Sequence, residues 1–234
     1  MEVIPIKPLS VLKKFLEQLR WKKLARQLRK PTGAMGLEVA RRMNTNNEFL
    51  YNFTLDEMMI RDNQTILEIG FGNGRFFKKH YDFAENLRVT GIDISDDMLA
   101  EAREFNRDLI RDKQLELLKS ASNQMPFPDN NFDKAFSINV AYFWNDPQEH
   151  LSEIARVLKP GGRLYTTIRS AESLSRMPFS QYGFSSYSEQ DWKLLCHLND
   201  LSFIRSSLVV EPDLPGAEFT GIRSFCFVAE KMKL

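Results

Sequence analysis

Residues 65–76, T-I-L-E-I-G-F-G-N-G-R-F, constrain this chain more than any other stretch. A short apolar run at 66–69 leads directly into glycines at 70, 72 and 74. That is the pattern of a buried strand ending in a tight turn. Gly70 lets the chain turn where a side chain would crowd it, while Gly72 and Gly74 let the backbone approach a ligand or the next element. A helix is expected over 75–83, and its first amides could meet a negative or polar ligand atom. A glycine pattern of this kind also serves plain strand–turn–helix corners, so it needs a second feature.

The second feature is an apolar run at 89–92 that ends in Asp93. Glu68 and Asp93 lie 25 residues apart, room for one helix and one return strand. An acidic side chain at that point can accept both hydroxyls of a ribose. The competing reading is that Asp93 only helps to cap a helix that starts after Ser95.

Four segments, E-I-G-F-G-N-G at 68–74, G-I-D-I-S at 91–95, M-P-F-P-D-N-N-F-D at 125–133 and L-K-P-G-G-R-L at 158–164, occur in order. With them the chain resembles the class I methyltransferases that use S-adenosylmethionine (SAM), in their small-molecule, quinone and sterol branch. The resemblance covers roughly residues 60–230. It implies a Rossmann-like α/β fold, a seven-stranded sheet of order 3-2-1-4-5-7-6 with strand 7 antiparallel and helices on both faces. It also implies SAM as cofactor, with S-adenosylhomocysteine (SAH) as product.

Carried over residue by residue, the resemblance places the amino-acid end of SAM at Gly70, Phe71 and Gly72, with Glu68 near its ammonium and Gly74 in the same turn. Asp93 takes the ribose. Ile94 and Met98 suit the adenine faces, and Ala121 and Ser122 stand where its edge is read. Many relatives carry an aspartate at the place of Ala121, so that contact falls to Asn123, a backbone carbonyl or water. Asn139 points toward the sulfonium. Tyr142, Phe143 and Trp144 follow it, either as electron-rich rings for a cation or as an apolar lid. No N-P-P-Y or D-P-P-Y segment follows strand four, which weakens amino-methylation of DNA or of protein glutamine.

The expected strands fall at 65–69, 88–92, 115–119, 132–138, 163–168, 203–210 and 222–229, with helices at 96–111, 147–158 and 188–199. This alternation implies right-handed crossovers and a parallel sheet. The link at 211–220 is too short for a crossover, so the last two strands form a hairpin. That hairpin argues against an ordinary dinucleotide dehydrogenase. The long irregular stretch at 169–187 is of the kind that carries specificity.

At 234 residues and 43% hydrophobic content, one domain with an appended segment is expected: a helical cap over 1–60 and a SAM-binding domain over 61–234. Net charge is +1, so no global case exists for nucleic acid, yet residues 1–42 hold eleven Lys/Arg against three Glu. Residues 1–8, with Pro5 and Pro8, are expected to be loosely held. Residues 10–29 read as a basic amphipathic helix. It can brace or lid the domain, lie on an anionic membrane or dock a partner, or grip phosphates. Residues 31–36 break it, 37–43 form a short helix, 44–47 interrupt again, and 55–60 is a helix before the first strand. By the resemblance, Met35, Asn44, Asn47, Tyr51 and Phe53 can line the acceptor pocket, or pack in the core.

Two cysteines and three histidines show no metal-ligand spacing, and no apolar run reaches spanning length, so no metal and a cytoplasmic location are expected. His80 is expected to assist the end of its helix, and His150 and His197 to be surface or structural. No base stands out. Asn139, Tyr142 and Tyr182 are the candidates to orient an acceptor. The favoured function is methyl transfer to a small or lipid-like molecule. RNA or protein methylation through the basic helix, and a non-catalytic nucleotide-fold module, stand as alternatives. Neither the acceptor nor the oligomeric state can be read from the residues.

Overall fold

The computed structural model describes residues 9–233; the expectation for residues 1–8 lies outside them. Seven strands form one sheet in the order β3-β2-β1-β4-β5-β7-β6. They are β1 (Thr65–Ile69), β2 (Arg88–Asp93), β3 (Leu115–Lys119), β4 (Phe132–Ile138), β5 (Leu158–Arg169), β6 (Leu201–Val210) and β7 (Arg223–Lys231). β1 to β5 are parallel, and β7 runs antiparallel to both β5 and β6. The short link before β7 forces this, because a parallel return needs a crossover of a dozen residues or more.

Period-two alternation along the central strands separates two apolar layers. On β4 and β5, Ala135 and Leu164 join a core around Trp192 and Phe227, while Phe136 and Tyr165 join a core around Tyr51 and Phe77. The first layer lies under helices α5 (Pro147–Val157) and α7 (Glu189–His197), with the short α6 (Ala171–Ser175) between them in the chain. Ser188 caps α7 through a reciprocal capping box with Asp191. The second layer lies under α2 (Gly33–Met58) and α3 (Asp96–Phe105).

Four local expectations are corrected. No α-helix follows the glycine turn; the chain makes a 3₁₀ segment, Phe77–Asp82. Phe77 and His80 are both buried, and side chains three apart eclipse on a 3₁₀ turn. Second, α2 is one helix through residues 44–47. A buried stripe including Val39, Leu50, Leu55 and Met58 overrides the weak helix propensity of the asparagines, and the break shrinks to Lys30–Thr32. Third, the helix expected over 96–111 divides at Asn106 into α3 and α4 (Arg107–Arg111), because the Asn106 side chain donates to the carbonyls of Gly74 and Ala102. Fourth, β5 starts at Leu158, with a register shift opposite Phe132 and Lys134.

The N-terminal α1 (Leu9–Arg29) packs on α2 and on the 3₁₀ turn Pro178–Gln181. The second half of α2 belongs to the sheet's own core: Leu50, Leu55 and Met58 are wholly buried. Each such side chain contributes about 1.5–3 kcal/mol. We therefore expect a chain lacking residues 1–30 to unfold cooperatively in a urea titration. A chain lacking residues 1–60 is expected to lose its cooperative transition.

Candidate active site

Order 3-2-1-4-5 reverses direction between β1 and β4, so a crevice opens at the carboxyl ends of those strands, where ligands of open α/β sheets bind. The turn after β1 is built on glycines with positive φ. At Gly70, φ is +73° and a Cβ would come 2.4 Å from Val140 Cγ2, so only glycine passes. At Gly72, φ is +58° but nothing lies within 4 Å of a Cβ position. That position opens onto both chambers of the crevice. Gly74 instead meets α3 at Ala102.

Asp93 ends β2 and ties this turn in place. Its Oδ2 accepts from the Gly72 amide at 2.9 Å and its Oδ1 from the Ser95 amide at 2.8 Å. Ser95, not Asp93, is the N-cap of α3. Burial raises the Asp93 carboxyl to about 6, against the lowering pull of the Ser95, Gly72 and Ile94 backbone donors. Glu68, on β1, is also buried and accepts from the Tyr51 hydroxyl at 2.7 Å. Burial pushes Glu68 up to about 8; the Tyr51 hydrogen bond opposes this, and the charge of Asp93 adds to it.

Two chambers share the walls Pro31, Met43, Gly70, Gly72 and Ile138. The smaller, about 60 Å³, holds Glu68, Tyr51, Asn44 and Asn47. The larger, about 480 Å³, holds Asp93, Ile94, Ala121, Ser122, Asn123 and Asn139. A buried carboxyl, Glu68, that can ionise beside a cation in one chamber, and Asp93 for paired hydroxyls in the other, form a donor set that fits SAM. A third cavity of about 500 Å³ lies beyond α2 and shares Met43 with both chambers and Leu28 with the larger one. Its walls include Trp21, Leu24, Val39, Met177 and Phe219, with the Arg169–Glu211 pair as a buried polar end. Arg169 donates from two nitrogens to the two Glu211 oxygens, each at 2.9 Å.

The crevice gathers most of the residues singled out in the sequence, with exceptions. Asn139 reaches the larger chamber with φ +58°, a conformation that side chains other than glycine seldom hold and that recurs at functional sites. Its side-chain amide donates to Asn47 at 3.1 Å and its Oδ1 accepts from the Tyr142 hydroxyl at 2.9 Å. Tyr142 itself is buried, and its oxygen also accepts from the Arg169 amide, so it props Asn139 and lines none of the three cavities. Tyr182, at the end of the 3₁₀ turn, also lines none of them. Met98 is wholly buried and lines the smaller chamber, while Ile94 lines the larger one. Met35 lines the third cavity, and Phe53 packs in the core.

His150, expected to be surface or structural, is half-buried. It lines the larger chamber, stacks on Trp144 with ring centroids 4.8 Å apart, and its Nδ1 lies 2.7 Å from Ser122 Oγ. Burial lowers it to about 4, so it is neutral near pH 7. The signal was available: Asp146 caps α5, and the first turn of a helix after a parallel strand faces the crevice. His80 is buried at the core, with Nδ1 3.0 Å from the Phe77 carbonyl.

A model of a methyltransferase domain matches residues 67–166. The chain is 30% identical over 131 residues to the uncharacterized methyltransferase YdaC of Bacillus subtilis, a match that covers 56% of this chain and 70% of that protein. The chain belongs to the class I SAM-dependent methyltransferases. This methyltransferase is also 34% identical over 116 residues to the ubiquinone/menaquinone biosynthesis C-methyltransferase UbiE of Enterobacter sp. (strain 638), 48% of this chain and 45% of that relative. It therefore spans about half that relative's length. Its fold matches the Haloferax volcanii protein solved in complex with the Trm112 methyltransferase activator, at TM-score 0.74 and 20% identity over 83% of this chain and 93% of that one. Among the described residues, no helix of the methyltransferase is long and apolar enough to cross a membrane.

The pH behaviour of the ligand-free methyltransferase follows from Glu68. A carboxyl raised from 4.5 to about 8 on folding contributes stability that is complete below pH 4.5 and lost as pH rises through 8. Glu68→Gln keeps the Tyr51 partner and removes the ionisation. The melting temperature of the wild-type enzyme is expected to fall below that of E68Q between pH 6 and pH 9, by roughly 2–6 °C.

Proposed function

We propose that this methyltransferase transfers the methyl group to a small, largely apolar acceptor held in the 500 Å³ cavity. The observation that carries the reading is the apolar lining of that cavity and its meeting with the SAM chambers at Met43 and Leu28. Pockets of about 300–1,000 Å³, apolar with a few placed polar groups, are those that take small molecules. The named quinone methyltransferase among the relatives supports the class of acceptor. In this reading α1 and the first half of α2 form the cap, while the second half of α2, with Leu50, Leu55 and Met58 buried, is built into the SAM-binding domain.

In this assignment Glu68 and the Gly70–Gly72 turn hold the amino-acid end of SAM, and Asp93 holds the ribose. Ile94, Ala121, Ser122 and Asn123 border the adenine, with His150 and Trp144 closing the slot. Bound SAM supplies an electrophilic methyl on a sulfonium. The chain supplies position: Asn139 is held from three sides by Asn47, Tyr142 and the Thr167 carbonyl. Helices α1 and α2 exclude water from the meeting point. Orientation and desolvation carry most of the acceleration in such a displacement. Among the described residues no His lines the third cavity; of its carboxylates, Glu211 is paired with Arg169, and Glu38, Asp213 and Glu218 are exposed, Glu38 paired with Arg42 and Asp213 accepting from the Gly221 amide. An acceptor that ionises or attacks unaided suits that arrangement.

The test separates the two halves of the reading. Asp93→Ala should weaken SAH binding by about 10- to 100-fold in calorimetry, the loss of a charged hydrogen-bond partner. Labelled SAM offered with prenylated quinols, sterols, RNA and protein should place label in the organic extract. Met35→Trp, which narrows the third cavity, should raise the acceptor KM about tenfold, about 1.4 kcal/mol, with SAH affinity unchanged. Label in RNA or protein alone contradicts the small-molecule acceptor.

A further inference from the structure

Helix α1 carries two apolar faces on opposite sides. At 100° per residue, Trp21, Leu24, Ala25 and Leu28 fall within an arc of about 100°. They pack toward α2 and the 3₁₀ turn; Ala25 is 2% exposed, and the Trp21 and Phe179 rings lie 6.4 Å apart. Val11, Leu12, Phe15, Leu16 and Leu19 fall within about 140°, centred roughly 160° from the first arc. All five are exposed, between 45% and 56%. The two faces cancel when the helix is averaged, which hides an apolar stripe that points away from the domain.

Along the second half of α1 the same outward side carries Lys22, Lys23 and Arg26, each exposed. Between residues 11 and 30 the chain has eight Lys/Arg and one acid, Glu17. Among the described residues, none of those eight cations lies in a salt bridge. A phosphate-gripping helix needs the cations but not the apolar stripe. A stripe of five large apolar side chains, continued by unpaired cations, matches an anionic bilayer, which takes apolar groups below its headgroups and cations at them.

We propose that residues 11–26 dock this methyltransferase on an anionic membrane surface. The inner face of the same helix places Trp21, Leu24 and Leu28 in the wall of the 500 Å³ cavity. A docked α1 therefore sets that cavity beside the bilayer, where an apolar acceptor is dissolved. This loading step rests on the acceptor reading above; the docking itself does not.

The test is co-sedimentation of the full chain with vesicles of phosphatidylcholine, alone or with 30% phosphatidylglycerol, in low and high salt. The wild type should partition at least tenfold more strongly onto the anionic vesicles and be released by salt. Phe15→Ser with Leu16→Ser, and separately Lys22→Glu with Lys23→Glu, should each lower partitioning at least tenfold. Melting temperature and SAH affinity should stay unchanged, because these side chains are exposed and line none of the three cavities. Wild type that stays in the supernatant overturns the proposal. So does binding that F15S/L16S leaves intact. Dimerisation or RNA binding lost in these variants, without vesicle binding, assigns the face to another occupant and likewise overturns it. Vesicle binding with no turnover of any apolar acceptor removes the acceptor reading alone. Turnover of a detergent-dispersed acceptor without vesicle binding removes the docking alone.

Discussion

Asp93 joins two turns that would otherwise be independent. One oxygen of its carboxylate holds the amide of Gly72, from the turn after β1, and the other holds the amide of Ser95, which opens α3. Two strands that pair in parallel register, Ile69 beside Ile92, thus end in loops tied by one side chain. The tie leaves Gly72 facing open space, and among the described residues no salt bridge pairs the buried carboxylate, although the charge of Lys30 pulls its titration down. That arrangement is costly without a ligand, as the rise of its titration to about 6 records. Preorganised polar groups in a dry crevice repay such a cost when the partner arrives.

Around this tie the chain grades from rigid to movable. The strand ends and the glycine turn are fixed by sheet register and by Val140, which fills the place of a Gly70 side chain. Asn139 is fixed from three sides in the left-handed conformation that asparagine tolerates. The cover over them comes from α1 and α2. The half of α2 that bears Leu50 and Met58 is built into the core, while the first half of α1 makes no comparable burial. The second half of α1 walls the cavities with Trp21, Leu24 and Leu28, while residues 11–20 of the same helix are exposed.

The sheet was legible in the residues because parallel strands buried on both faces are short apolar runs, and because the link before β7 left room only for a hairpin. Glu68, the glycines and Asp93 were legible as two neighbouring strand ends and the tight turn between them, because a turn with positive φ demands glycine. What escaped depended on tertiary packing. Nothing local separates a 3₁₀ turn at Phe77 from an α-helix; the joint burial of Phe77 and His80 decides it. Asn44 and Asn47 read as breakers, yet the core stripe of α2 carries the helix through them. Tyr142 looked free to meet an acceptor, and its hydroxyl is spent on Asn139 and the Arg169 amide. His150 looked exposed because the stacking surface of Trp144 and the hydroxyl of Ser122 come from distant segments.

The most direct measurement is a crystal structure of the protein with SAH. The account predicts ribose hydroxyls within hydrogen-bond distance of Asp93, the amino group beside Glu68, and the sulfur facing Met43 and the apolar cavity. A nucleoside bound elsewhere, or one whose sulfur faces away from that cavity, contradicts it.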